Sequence, residues 1–402
     1  MGRYAGSLSW ALRMLGLGFH EKKKRSRHIL SAILVVMLSV VPLIIAIALV
    51  NGMTYGITSK YINLSSFHAR VHGVSKEDVS GADHVKSVYQ AAESFSLIYG
   101  PEGSVSTLLK AVDPAYLRSV EFSSQLVDVN GNTEFFSSDD AREITLSRTI
   151  ASEIGASPGD SIAVVAVGYD EGTSRIRPAA YTVSAIIDSG YKQLDEQLAF
   201  IPYAASSRLF SDDPQLSYTG VLFEQQAGQS IETIQASLVS FSDVTTWDQL
   251  NSAVYYNFRT SKTILYMIMV FIIFIAAVNI SATTILIVQE KHLQIGLLKS
   301  IGIPLSTINS SFMLTSALIG LAGSLLGTAV GLILSTQLNA LFALLQRLQV
   351  TALDFYLVDL PTVIPAGEIA AVITTAVLFA VLTSLIPLKR IRTITPIHLL
   401  QE

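Results

Sequence analysis

The residue types that carry enzyme chemistry are thinly spread in this chain. It has no cysteine, which removes thiolate metal ligands, cysteine nucleophiles and disulfides. No Gly-x-x-x-x-Gly-Lys-Ser/Thr run occurs, nor any Gly-Lys pair, so there is no P-loop to cradle nucleotide phosphates. His-Glu-x-x-His and Gly-x-Ser-x-Gly are absent as well. His68 and His72 stand four apart, metal-ligand spacing if they lay on a helix. Residues 67–72 alternate like a strand instead, and without a third ligand the pair reads as surface histidines. Asp139-Asp140 and Asp195-Glu196 lie in polar stretches with nothing apolar beside them to raise a pKa. They read as solvated turn residues rather than acid–base catalysts. The expectation is a chain with no catalytic residue, no metal and no cofactor of its own.

Residues 288–302 suit mechanical rather than chemical work. Leu293, Leu297 and Ile301 recur every fourth residue and so share one face of a helix, with Leu298 beside them. Glu290, Lys291 and Gln294 lie off that face, and Gly302 followed by Pro304 ends the helix. Such a helix either docks on a partner or simply caps a hairpin.

The elements around it are set by composition. Half of the residues are hydrophobic and 14% are charged, with a mean hydropathy of +0.49. That is too apolar for a typical soluble protein and too polar for one wholly in lipid, so membrane helices plus a sizeable aqueous domain fit. The net charge of -4 implies no nucleic-acid surface. Transmembrane helices are expected at residues 29–52, 261–288, 305–336 and 366–388, each reaching the ~20 residues that cross a bilayer core. The first is longer than the ~7–15 residues of a signal-peptide core, and Asn51-Gly52-Met53 follows it instead of a small-x-small site, so it reads as uncleaved.

Basic residues next to the helices give the orientation. Arg3, Arg13 and the run from Lys22 to Arg27 precede the first helix. Lys291 and Lys299 lie between the second and third, and Lys389, Arg390 and Arg392 follow the fourth. With four crossings these fall on one side, the cytoplasmic one. Residues 1–28 are then a cytoplasmic leader, amphipathic through Leu8, Leu12, Leu15 and Phe19 beside Trp10. Residues 289–304 and 389–402 are a cytoplasmic link and tail. Residues 53–260 form an outer domain and 337–365 a shorter outer link.

The outer domain reads as mixed α/β in two lobes. Strands are expected at 161–167 and 180–187 around a polar hairpin tip at 168–178, with helices at 147–154 and 204–210. On the third membrane helix, Gly323, Gly327 and Gly331 form a stripe that lets another backbone approach closely, in this chain or in a second subunit.

Several motifs together resemble one permease family. The link carries Glu290-Lys291, Ile295-Gly296, Leu298-Lys299 and Ile301-Gly302. Val50-Asn51-Gly52-Met53 ends the first helix, and Ile144-Thr145-Leu146-Ser147-Arg148 leads through Ile154-Gly155 to Gly159-Asp160. Phe355-Tyr356, Asp359 and Pro361 precede the fourth helix, and Ile386-Pro387, Thr395-Pro396-Ile397 and Leu400 close the chain. In this order they resemble the ABC transporter permeases that include LolC and LolE of lipoprotein release, MacB and FtsX.

That resemblance implies a multi-pass protein of the bacterial inner membrane with both termini cytoplasmic. Two permease subunits, homologous or identical, would pair above two copies of a separate ATPase, which would hold the ATP and Mg. In the LolC and LolE branch the machine draws lipoproteins from the outer leaflet and hands them to a periplasmic carrier. The alternatives are a MacB-like efflux or mechanotransmission permease, and a non-transporting FtsX-like regulator. The absent P-loop disfavours the first, and the size of the outer domain disfavours the second.

By the same analogy Glu290, Lys291, Leu293, Ile295, Leu297, Leu298 and Ile301 would couple to the ATPase. The outer halves of the first two helices would line a lipoprotein cleft through Leu43, Ile47, Val50, Met53, Tyr266, Met267, Val270 and Phe271. The 168–178 hairpin, with Tyr169, Asp170, Arg175, Arg177 and Pro178, would be the carrier-contact loop. It is shorter and poorer in proline than the loop of LolC-type subunits, so a LolE-like role and a dual role in a homodimer both stay open.

Overall fold

The computed structural model of the chain describes residues 26–131, 134–139, 141–170, 173–210, 216–224, 230–290, 292–337, 340 and 364–392. The leader, residues 341–363 and the tail beyond 392 lie outside these, and so do the expectations placed on them. Five helices are labelled in chain order: α1 Ser26–Tyr61, α2 Ser252–Glu290, α3 His292–Ser300, α4 Leu305–Thr336 and α5 Ala366–Arg392. All but α3 include a stretch long and apolar enough to cross a membrane.

The chain divides into two compact units, and α1 and α2 each contribute to both. At ~1.5 Å per residue, helices of 36 and 39 residues outrun the ~30 Å hydrocarbon core, so each has turns to spare beyond it.

In the membrane unit, Val36, Val40, Leu43, Ile44 and Ile47 of α1 share a core with Ile273, Ile280, Phe312, Ile319, Val372 and Ala380. Large apolar side chains such as Leu38, Phe271, Ile333 and Leu378 point outward. Apolar residues on both the inner and outer faces are what a lipid solvent demands. Most hydroxyls buried here bond locally or between helices, while Thr328 Oγ1 has no partner among the described residues. Thr284 Oγ1 lies 3.2 Å from Ser316 Oγ, and Thr383 Oγ1 donates to the Ala277 carbonyl at 3.0 Å.

Among the described residues the outer unit has ten strands: β1 Ala69–Val71, β2 Val85–Tyr99, β3 Ser104–Val112, β4 Asp128–Gly131, β5 Glu143–Ser147, β6 Ser161–Asp170, β7 Thr173–Asp188, β8 Ala199–Pro202, β9 Ser217–Phe223 and β10 Val244–Thr246. They form one sheet in the order β10-β1-β9-β2-β3-β8-β5-β7-β4, with β6 pairing both β2 and β7. The β3–β8 and β5–β7 pairs are parallel.

The two lobes expected from sequence are in fact two cores on one sheet. Ala91, Val112 and Phe200 belong to one core, and their chain neighbours Ala92, Ala111, Ala199 and Ile201 to the other. Successive strand residues point to opposite faces, so the two cores lie on opposite faces. Short helices cover them, among them Arg148–Ile154, closed by Gly155 at φ 67°.

Candidate functional site

The cytoplasmic link folds as the helix α3. Its inward side chains hold it to the membrane unit: Ile295 is fully buried and Leu298 half-buried against the shared core. Beyond Ser300 the chain turns at Gly302, φ 88°, with hydrogen bonds from Gly302 N to Lys299 O at 3.0 Å and Ile303 N to Leu298 O at 3.1 Å. Left-handed backbone at that point favours glycine. The row on the opposite side is open: Leu293 is 55%, Leu297 62% and Ile301 75% exposed. Glu290 is exposed at the end of α2, and Lys291 lies outside the described residues. Five of the seven residues therefore separate into an anchoring pair, Ile295 and Leu298, and an outward row, Leu293, Leu297 and Ile301.

The eight cleft residues do not share one surface. Leu43 and Ile47 are 1% exposed, packed in the membrane core. They face inward because α4 comes so close to α1 on that side. Val50 and Met53 are half-buried. Tyr266, Met267, Val270 and Phe271 are exposed, and with Phe274 and Val278 they run along α2 at helical spacing as an apolar face.

The glycine stripe has its partner within the chain. A Cβ built on Gly323 would lie 2.6 Å from Val36 Cβ, on Gly327 2.8 Å from Val40 Cβ, and on Gly331 2.7 Å from Ile44 Cβ. The stripe is the seat of α1.

The expected hairpin tip is mostly strand. β6 and β7 stay paired out to Asp170 and Thr173, with Tyr169 opposite Ser174, Gly168 opposite Arg175 and Ala166 opposite Arg177. Residues 171–172 lie outside the described residues, as do the side chains of Tyr169, Asp170, Arg175 and Arg177. Pro178 is exposed.

Two further sequence readings are corrected. His68 is no surface histidine. Its Nδ1 accepts from Phe223 N at 3.2 Å, and burial pushes its pKa down to about 4, leaving it neutral at pH 7. Asp195 is no solvated turn residue. It is 3% exposed and accepts from Ser189 N at 3.2 Å, and burial pushes its pKa up to about 6. Both were misread because the elements that cover them come from distant parts of the sequence.

Sequence reasoning also missed a buried charge cluster where the emergent part of α1 ends. After Tyr61 the chain widens into a π-helical turn, Ile62–Ser66, and Phe67 leaves it at φ 58°. Such an end exposes carbonyls and carries partial negative charge. Two buried cations meet it. Lys110 Nζ donates to Ser65 O and Ser65 Oγ, each at 2.6 Å, and Arg70 reaches Ser65 O at 3.3 Å and Ser66 O at 3.4 Å. Glu93 pairs with Arg70 and accepts from the Tyr218 hydroxyl at 3.3 Å. The Arg70 guanidinium lies 4.3 Å from the Tyr218 ring centre.

Burial would raise the Glu93 pKa, but Arg70 and Lys110 outweigh it and hold the carboxyl below its usual range. Burial pushes the Lys110 ammonium down to about 7. Glu93 and Lys110 are directly paired across β2 and β3. A single charge within each of two otherwise uncharged runs, Glu93 in 87–99 and Lys110 in 104–112, was the signal available in the sequence.

Comparison with known proteins finds two family models along the chain, which meet near the start of α2. The MacB-like periplasmic core domain model matches residues 30–241, and the FtsX-like permease C-terminal model matches residues 266–396. The chain belongs to the MacB/FtsX permease family. Within it the likeness lies with the LolC and LolE branch. The lipoprotein-releasing system transmembrane protein LolC of Xylella fastidiosa is 23% identical, covering 96% of this chain and 98% of that protein. LolE of Haemophilus influenzae is 24% identical over 64% of each. Among solved structures, the periplasmic region of MacB from Actinobacillus actinomycetemcomitans matches 46% of this chain and 91% of its own length at 13% identity. The TM-score of that match is 0.27.

This MacB/FtsX permease is therefore a multi-pass membrane protein with four transmembrane helices and a periplasmic mixed α/β domain between the first two. The resemblance read from the motifs holds.

Proposed function

We propose that this permease is the membrane subunit of an ABC transporter that draws lipoproteins from the outer leaflet of the bacterial inner membrane and passes them to a periplasmic carrier. Both termini and α3 face the cytoplasm. A separate ATPase in two copies supplies ATP hydrolysis with its own Mg, and a second permease subunit, homologous or identical, completes the channel. The outward face of α2 from Tyr266 to Phe271 meets the acyl chains, and the β6–β7 hairpin offers the carrier contact.

The observation that carries this reading is the split of α3 into a buried anchor, Ile295 and Leu298, and an exposed row, Leu293, Leu297 and Ile301. A chain without a P-loop receives work only by contact, and α3 directly joins two membrane helices. A push on its exposed row is passed to α2 and α4 through its anchor. The likeness to LolC along almost the whole chain favours lipoprotein as the cargo.

Leu297→Asp tests it. In a docked contact the substitution buries an unpaired carboxylate, which costs several kcal/mol. The variant is expected to insert normally and to lose the co-purifying ATPase. Normal insertion with a full complement of active ATPase would remove α3 as the coupling element.

A further inference from the structure

Three membrane helices meet on one carboxyl group at the start of α5. Glu368 sits in the first turn of that helix. Asn51 of α1 donates from Nδ2 to Glu368 Oε2 at 2.6 Å, and Tyr266 of α2 donates from its hydroxyl to Oε1 at 2.9 Å. The donors are 317 and 102 residues from Glu368 in sequence, so the junction exists only in the folded bundle. Asn51 is buried at 5% exposure.

An ionisable side chain within a membrane span is costly, and it is kept where it has partners and work to do. A helix N-terminus favours the carboxylate. The two donors belong to α1 and α2, the helices expected by analogy to line the cleft, and both flank residues expected there: Asn51 lies between Val50 and Met53, and Tyr266 precedes Met267.

We infer that Glu368 is a positioning residue, a latch that ties α1 and α2 through α5 near the outer ends of their membrane-spanning stretches and sets the width of the cleft mouth. This rests on the cleft reading above. The latch gives the Asn51-Gly52 signature a physical task, because an amide at 51 supplies the donor that Glu368 requires. Entry of an acyl chain between the helices pulls one donor off the carboxyl, so the mouth widens only when apolar contact compensates for the lost hydrogen bond.

The test uses the full-length, cysteine-free chain in lipid nanodiscs, spin-labelled through cysteines at Leu49 and Ile264, with singly labelled chains as reference. Glu368→Ala is expected to lengthen and broaden the distance distribution, and Asn51→Asp to do so further by facing one carboxyl with another. Asn51→Asp combined with Glu368→Gln restores donor and acceptor in exchanged places and is expected to return the parental distribution. Tyr266→Phe, which deletes a single hydroxyl, is the mild variant should the others fold poorly, and it is expected to broaden the distribution in the same direction. Unchanged distances in all of these overturn the latch, whatever the cargo is. In the complex with its ATPase, lipoprotein is expected to stimulate hydrolysis less in the widened variants than in the parent. Widening with full stimulation retained overturns the link between latch and cleft and leaves the cargo reading untouched.

Discussion

Among the described residues, the polar groups buried in the membrane unit are hydroxyls and one amide, Asn51, while those buried in the outer unit include charged side chains. Thr284, Ser316 and Thr383 satisfy themselves on a neighbouring carbonyl or hydroxyl. Arg70, Glu93 and Lys110 must satisfy one another and the end of α1. The units hold α1 by different physics. Along the glycine stripe the contact is dispersion between close backbones, tolerant of sliding by a turn but not of added volume. At Ser65 and Ser66 it is a set of directed charge-assisted hydrogen bonds, which fix register and penalise separation steeply.

The comparison breaks most severely at Glu93. Glu93→Ala leaves Arg70 and Lys110 buried without a carboxylate, and breaking a buried ion pair from one side costs about 3–5 kcal/mol. The outer unit of the full chain is expected to lose hydrogen-exchange protection in β1, β2 and β3, while α4 and α5 keep theirs. Equal loss in both units would mean that the clamp is not local to the outer one.

A smaller effect is expected in the groove. Gly327→Ala places a Cβ where Val40 Cβ would be 2.8 Å away, and overpacking of this kind costs roughly 1–3 kcal/mol. The variant is expected to melt earlier in detergent with exchange in β1 to β3 unchanged. Unaltered thermal stability would show that the stripe has slack.

These contrasts also explain what could be read from the sequence. Membrane helices announce themselves by length and hydropathy, so α4 and α5 were legible nearly to the residue. The strand at 161–167 and the helix at 147–154 were legible because turn residues bracket a clean period. Which face of α1 points inward was not, because it is apolar all round and only the glycines of α4, nearly three hundred positions later, choose Leu43 and Ile47 for the core. Nor was the charge cluster, because Arg70, Glu93 and Lys110 each look solvated alone, and their burial comes from strands paired over long separations.

The smallest effect is the pH response of the outer unit. The His68 pKa falls from 6.5 unfolded to about 4 folded, so its contribution is present above pH 6.5 and is lost as pH drops toward 4. The Asp195 pKa rises from 3.8 to about 6, so Asp195 penalises the fold above pH 6 and relieves it on acidification over much of the same window. The two offset in the parent. Relative to His68→Gln, the parent is expected to lose stability between pH 6.5 and 4. Relative to Asp195→Asn, it is expected to gain between pH 6 and 3.8. Parallel curves for parent and variants would mean that neither group is as buried in solution as in this fold.

The central claim is that the exposed face of α2 receives the acyl chains of a lipoprotein. A photo-crosslinkable residue at Met267, in the assembled complex without ATP, measures it most directly. The account predicts capture of the lipidated protein and little or none of the same protein without its lipid. Equal capture of both forms would contradict it.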